Sequence, residues 1–526
     1  MYKLFYNGVI HTLHSTNKSH EALLVLGDRI IFCGRSSQIN LPAYQLNKIN
    51  LAGRHVYPGF IDCHTHIAST ALKRERLSLD HCRSREEALE TIGKFAGGRP
   101  AGTWLTGGGW NANEWSDGPP AKEYLDRICP DHPVALYNKD GHTMWLNSLA
   151  LDLCGFHAGG DLSGGGFLGN DDKGELDGLV FEKACELVEQ KVGEPSYEAL
   201  LRCMKSLSAE LYRLGITSAH SCEGMDIWIR FQKMAAEQKL PIRICMHPPA
   251  SCMEDFLGAG LRSAFGSEWL RLGGFKYFVD GSLGSQTAEM FDNFDHLAHA
   301  GIEVMTEEDL AEQIQRTAAQ GMSSTIHAIG DKAVFKTLNA LQKSEQISKE
   351  YKLRQRIEHA QILRKKDIER FGRLGIIASM QPVHISDDVK LADYYLGRRS
   401  RYTYPVKSLM ASGCRVVFGS DMPVADMDPL KGIRAAVGRR YQLDPHEPSW
   451  QPQECITAKQ ALCAYTTEAA CASYEELIKG TLTAGKLADF IVSDSDIEQA
   501  DERQLSEMKI EMTVLGGSIV HREESV

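Results

Sequence analysis

The chain has 526 residues, of which 43% are hydrophobic and 24% charged, with a formal net charge of −11. This is the composition of ordinary globular proteins, long enough for one large domain with additions, and its acidic balance speaks against binding nucleic acid or an anionic membrane surface. No apolar run approaches the ~18–20 residues of a membrane span, and "MYKLFYNGVIHTLHS" lacks the basic-then-apolar order of a secretory signal, so a cytoplasmic protein with no membrane partner is expected.

The first residues read as short strands and turns. "KLFYNGVIHTL", "ALLVLGDRIIFCG" and "KINLAGRHVYPG" are rich in β-branched and aromatic residues and are broken at Gly8, Gly27-Asp28 and Gly53. "GTLTAGKLADFIVSD" and "EMTVLGGSIVHR" near the other end have the same texture. Residues 1–57 and 476–526 are therefore expected to pair into one small β-domain, leaving 58–475 for the domain between them.

That middle domain opens with "HVYPGFIDCHTH", a strand ending in His64 and His66. A long stretch rich in Gly and Trp follows, from about residue 70 to about residue 200, too long for a plain loop. It contains "TWLTGGGWNANEW", "VALYNKDGHTMWLNS" and "GGDLSGGGFLGNDDKGELDGL". An insertion after a first barrel strand is expected over the carboxyl end of the barrel, as a lid or pocket wall. Beyond it, helical periods alternate with short apolar strands: "GITSAHS", "PIRICMH", "GGFKYFVDG", "SSTIHAIGD", "RQRIEHAQ", "GIIASMQP" and "CRVVFGSDMPV". Amphipathic stretches such as "TEEDLAEQIQRTAAQG" and "KKDIERFGRLG" separate them. With the first strand this makes eight strand-then-helix units, the pattern of an α/β (β/α)8 TIM barrel. Fourteen scattered cysteines with no Cys-x-x-Cys are expected as reduced thiols, which disfavours a disulfide framework or a thiolate zinc site.

The chemistry sits at the strand ends. His64 and His66 end the first strand, Lys276 lies on the fourth, His327 ends the fifth, His359 the sixth and Asp421 the eighth. Side chains two apart on a strand point the same way, so His64 and His66 can share one metal ion. Each residue also has a plainer reading. His327 could be a hydrogen-bonded strand end, His359 could pair with Glu358, and Asp421 could cap the turn at Pro423. Their joint placement at one barrel rim favours a metal site, and imidazole with carboxylate suits zinc or a similar divalent ion. Lys276, between Phe275 and Tyr277, is costly to bury as a bare ammonium. It either pairs with Asp280, reaches solvent, or is neutralised by carboxylation to a carbamate.

The order His-x-His, Lys, His, His, Asp over eight strands resembles the metal-dependent amidohydrolase superfamily. "VYPGFIDCHTH", "KYFVDGSLGSQTA", "HAIGDKAV", "RIEHAQ", "FGSDMPV" and "GKLADFIV", with "GGGWNANEW" and "DGHTMWLN" in the insertion, are similar to its YtcJ-like branch, which includes N-substituted formamide deformylases. The resemblance implies a metal-bearing barrel, a β-sandwich built from both termini, and metal ligands at His64, His66, His327 and His359. It places Asp421 beside the water that attacks, and Lys276 where related enzymes carry a carboxylated lysine bridging two metals. Two positions depart from the pattern: Ser221 stands where an acidic residue is expected after His220, and Gln286 where a basic one is expected.

The expected reaction is hydrolysis of a non-peptide carbon–nitrogen bond, amide or formamide. One or two divalent ions, zinc first, activate water, and Asp421 takes its proton and passes it to the leaving amine. His220 and His142 are candidates to contact the substrate or polarise its carbonyl, with packing and turn hydrogen bonds as the competing reading. Glu182 is a weaker candidate. Trp110, Trp115 and Trp145 either line an apolar pocket or form the insertion's own core. A deaminase or cyclic amidase on the same metal barrel is the alternative, and a barrel that binds without turnover comes third. The partners expected are a small-molecule substrate and, as an assembly, a homodimer.

Overall fold

The computed structural model describes residues 1–14, 19–140, 142–158, 166–193 and 195–524. Part of the glycine-rich stretch of the insertion, residues 159–165, lies outside them. The chain forms two compact units, one of Met1–Thr70 with Met204–Val526 and one of Ala71–Cys203.

In the first unit, eight parallel strands follow one another: β1 (Phe60–Thr65), β2 (Ile216–Ser221), β3 (Arg243–Met246), β4 (Gly274–Phe278), β5 (Ser323–Ala328), β6 (Arg356–His359), β7 (Ile377–Met380) and β8 (Val416–Phe418). β1, β2 and β3 pair in parallel, the β1–β2 register shifting twice, with a short extra strand, Leu270–Leu272, beside β3. β4 through β8 pair in sequence order. Isolated parallel bridges connect these two sheets at both edges, Thr65 to Met422 and Pro249 to Lys276. Nearly every residue of these strands is buried. They therefore show no alternation of buried and exposed residues, as strands covered on both faces do, and many of the buried side chains, among them Asp62, His220, Arg356 and Glu358, are polar.

Helices separate the strands, and their sequences explain where they start and stop. Glu307–Ala318 is capped by the Thr306 hydroxyl, which accepts from the Asp309 amide, and carries three acids in its first turn and Arg316 in its last. It buries Leu310, Ala311, Ile314 and Ala318 along one stripe. Lys365–Leu374 buries Ile368 and Phe371 and stops at Gly375, whose φ of 66° no β-carbon favours.

The two ends of the chain do build sheets together. A six-stranded sheet has the order Ser518–Arg522, Ile510–Leu515, Phe490–Ser493, His55–Pro58, Val9–His11, Ser19–His20. A four-stranded sheet of Arg29–Gly34, Ala22–Leu26, Tyr2–Tyr6 and Leu46–Asn50 shares an apolar core with it. Phe5 from one sheet meets Phe490 from the other edge-on, ring centroids 4.9 Å apart. Gly27-Asp28 is the two-residue turn of a hairpin that pairs Leu26 with Arg29.

One expected element divides. "HVYPGFIDCHTH" is two strands: His55–Pro58 runs antiparallel to Phe490–Ser493 in the terminal sheet, while β1 belongs to the parallel set. The break falls at Gly59, where a β-carbon would come within 2.4 Å of the Thr217 side chain. Pro58 and Gly59 thus mark a change of sheet.

The second unit has a six-stranded mixed sheet of its own. Trp110, Trp115 and Trp145 stand 6.0–6.2 Å apart, ring to ring, inside its apolar core. Of their two readings, core packing is the one realised. Every cysteine is a free thiol, and among the described residues no helix is long and apolar enough to cross a membrane.

Candidate metal centre

His64 and His66 leave the end of β1, and Asp421 follows β8, the strand bridged to it. The backbone joins these ends directly: the Asp421 amide donates to the His64 carbonyl at 2.7 Å, and the His66 amide to the Met422 carbonyl at 2.9 Å. Asp62 supports the junction from below, accepting from the Ser420 amide and hydroxyl and from the His64 amide. Burial pushes its carboxyl up to about 6, and those donors hold it from rising further. Asp421 Oδ1 then lies 3.3 Å from His64 Nε2 and 3.5 Å from His66 Nε2. One donor atom from each of His64, His66 and Asp421 falls within 4.8 Å of the others.

The hydrogen bonds on the far side of each ring assign the tautomers. His66 Nδ1 faces the Cys222 carbonyl at 2.9 Å. A carbonyl only accepts, so Nδ1 carries the proton and the Nε2 lone pair is turned toward Asp421. His64 Nδ1 donates to the fully buried Glu358 carboxylate, which leaves its Nε2 free in the same way. His327 Nε2 donates to the Gly281 carbonyl at 2.9 Å, leaving Nδ1 as the free nitrogen. The His359 ring stands 4.5 Å from that of His327 and 5.1 Å from that of His64. His359 and Asp421 both sit in left-handed backbone, φ 67° and 61°. Such strain is tolerated where the surroundings hold it, and it clusters at functional sites.

The electrostatics of this cluster fit a cation. Burial, with the Lys276 charge, pushes His327 down to about 3, and burial with His327 depresses His359, so both rings are in the neutral, ligating form. Around His64 burial and Lys276 oppose charge, but Glu358 and Asp421 outweigh them and raise its pKa. Asp421 stays far below the usual carboxylate range, because His64 and His66 overcome the cost of burying it. An ionised Asp421 beside His64 Nε2 and His66 Nε2 is a donor set that suits a divalent ion.

Lys276 is buried, its ammonium 4.8 Å over the Phe278 ring. The suggested pairing with Asp280 does not form. Both Asp280 oxygens accept from backbone amides of Glu289, Ile329 and Gly330. Nor does His359 pair with Glu358, which bonds His64 and Arg356 instead. His220 is buried on β2 and accepts at Nδ1 from the Arg356 guanidinium at 3.0 Å. Its proton is therefore on Nε2, and that N–H has no partner among the described residues. His142 belongs to the second unit, where it is exposed and pairs with Glu182 at 3.2 Å; the cluster around Asp421 is built from first-unit residues alone.

Three contributors escaped sequence reading. Glu358 and Arg356 sit two apart on β6 inside "RIEH", and only three-dimensional contact reveals that the carboxylate serves His64. The third is Glu223, two positions after Ser221. It accepts from the Ala68 amide at 2.8 Å, and burial pushes it up to about 7 against the pull of His66.

A model of the amidohydrolase family matches residues 48–521. The putative amidohydrolase YtcJ of Bacillus subtilis is 30% identical, covering 99% of this chain and 100% of its own. The N-substituted formamide deformylase of Arthrobacter pascens is 25% identical, covering 97% and 96%. A crystal structure of an uncharacterized metal-dependent hydrolase from Pyrococcus furiosus superposes with a TM-score of 0.78 at 28% identity, over 95% of this chain and 100% of that one.

Proposed function

This chain belongs to the amidohydrolase family, and on that premise we propose that it hydrolyses the carbon–nitrogen bond of a small N-formyl or N-acyl amine. The observation that carries the reading is the convergence of His64, His66 and Asp421 donor atoms within 4.8 Å, with the His327 and His359 rings beside them. The relative named as a formamide deformylase supports the N-formyl class. We read the eight parallel strands as a (β/α)8 barrel whose carboxyl rim bears these residues.

Zinc is the ion the imidazole and carboxylate donors suit best, one ion or two, and when bound it polarises the carbonyl and acidifies water toward a pKa of ~7. Asp421, ionised beside His64 Nε2 and His66 Nε2, takes the proton of the attacking water as the carbon–oxygen bond forms. It returns that proton to the leaving nitrogen as the carbon–nitrogen bond breaks. We assign to His220, whose buried Nε2–H has no partner among the described residues, the role of donor to the substrate oxygen. Glu358 and the Cys222 carbonyl hold His64 and His66 in the tautomer that ligates. Lys276 is buried with no carboxylate partner among the described residues. That supports neutralisation of its amine as a carbamate, which would offer its oxygens to a bound ion.

The test combines metal analysis with a screen of N-formyl, N-acyl and cyclic amides. Turnover of the first two classes, lost in Asp421→Asn with metal retained, is the expected result. Metal bound with no turnover of any class rejects the reading, and turnover confined to cyclic amides reassigns the substrate.

A further inference from the structure

A second group of metal-binding side chains lies in the terminal sheet. His11 ends Val9–His11, His55 begins His55–Pro58, and Asp496 follows Phe490–Ser493, three strands that are neighbours in the sheet. The register sets Val9 beside His55 and Ile10 beside Val56. Ile10, Val56 and Val492 fill the apolar core. Side chains alternate along a strand, so His11, His55 and Tyr57 share the opposite face.

On that face His11 Nε2 and His55 Nδ1 are 2.9 Å apart. One donor atom each from His11, His55 and Asp496 falls within 4.8 Å of the others. Ligands on a tetrahedral zinc at ~2.0–2.1 Å stand about 3.3 Å apart. The two nitrogens are therefore already near that spacing, and Asp496 needs a shift of the order of one side-chain rotation.

The surroundings hold these donors in place. Tyr57 stacks on the His11 ring at 4.3 Å and donates its hydroxyl to Asp496 Oδ1 at 2.7 Å. The Glu498 amide donates to the same oxygen at 2.9 Å, so both contacts fall on Oδ1 and Oδ2 is left for an ion. Glu498 Oε1 lies 3.7 Å from His11 Nδ1, on the far side of the ring from His55. Its other oxygen is held by Lys459 at 3.1 Å. At 3.7 Å Glu498 is an electrostatic neighbour of His11 Nδ1 and not a hydrogen-bond partner.

We propose that His11, His55 and Asp496 form a second divalent-metal site, structural and of zinc type, that clips the chain's early and late strands together. Both imidazoles bind neutral. The proton between His11 Nε2 and His55 Nδ1 moves to the far nitrogen of the ring that held it, so no net proton need leave the pair. The site is half-buried, with the His11 side chain 14% exposed, so ions reach it from solvent. His55 lies on the strand that runs through Gly59 into β1, which couples the clip to the strand bearing His64 and His66.

The probe is zinc alone, counted per chain by mass spectrometry after reloading the full-length apoprotein. His11→Gln with His55→Gln is expected to carry one zinc fewer per chain than the parent, with hydrolytic turnover retained. Tyr57→Phe is expected to keep the site but weaken it by roughly ten- to a hundredfold, as loss of an orienting hydrogen bond does. If the double variant does not fold, Asp496→Asn takes its place, read by competition with a chelator, and at least a tenfold weakening of one zinc is expected. Unchanged zinc content in the folded double variant, or unchanged affinity in Asp496→Asn, overturns the proposal and leaves a hydrogen-bonded histidine pair.

Discussion

Replacing Glu358 by glutamine separates two jobs that one carboxylate performs. Glu358 is fully buried and bonds both the Arg356 guanidinium and His64 Nδ1. Breaking a buried ion pair costs about 3–5 kcal/mol. Arg356 keeps the Cys63 carbonyl at 2.6 Å, the Ser379 hydroxyl at 2.7 Å and His220 Nδ1 at 3.0 Å. The lower end, about 3 kcal/mol, therefore applies to the apoprotein. The second effect falls on the metal. A glutamine has one oxygen for two donors. If that oxygen serves Arg356, the NH2 faces His64 Nδ1 and drives the imidazole proton to Nε2, the atom that must ligate. Loss of such an orienting partner weakens metal binding by about ten- to a hundredfold, or ~1.4–2.7 kcal/mol. Urea unfolding of the apoprotein measures the first quantity and chelator competition the second, both at low temperature so that the variant stays folded. A variant that loses stability but binds zinc within threefold of the parent would falsify the tautomer argument and leave Glu358 as nothing more than the counter-ion of Arg356.

Other perturbations probe other parts of the reasoning. Removing metal with a chelator should abolish turnover and zinc should restore it; activity that survives metal depletion contradicts the assignment of His64, His66 and Asp421. Arg243, buried and paired with Asp489 at 2.6 Å, ties β3 to the terminal sheet. Arg243→Ala should cost about 3–5 kcal/mol in urea unfolding, whereas the exposed Arg503–Glu507 pair should give under ~0.5 kcal/mol on the same change. Gly59→Ala should destabilise by about 1–3 kcal/mol, because its β-carbon meets the Thr217 side chain; a neutral result would mean that strand can shift freely. His142→Ala removes an exposed contact and should leave stability within ~0.5 kcal/mol, so a fall in kcat/KM there reports a substrate contact and not a folding defect.

What the sequence made legible were features written in local runs of residues. Short strand candidates such as "RICM" stood out between helical periods, and "FIDCHTH" and "FGSDMP" marked the strand ends whose His64, His66 and Asp421 side chains the fold brings together. The strand break at Gly27-Asp28 was readable because a left-handed turn admits few other residues. What stayed hidden depends on contacts between distant positions. Nothing local says that Pro58-Gly59 divides one apolar run between two sheets, since the reason is the Thr217 side chain more than 150 residues away. Nothing local says that Glu358 reaches His64 and not its neighbour His359. In a strand, adjacent side chains point to opposite faces, so the pair that looks natural in one dimension is the one the pleat forbids. His359 can join the metal cluster from the position after Glu358 because the backbone turns over there, at φ 67°. The strained residue turns both side chains toward one centre: Glu358 bonds His64, and the His359 ring stands 5.1 Å from the His64 ring. A site of this kind therefore asks for local strain as well as for the right residue types, and only the second of these is visible in a string of letters.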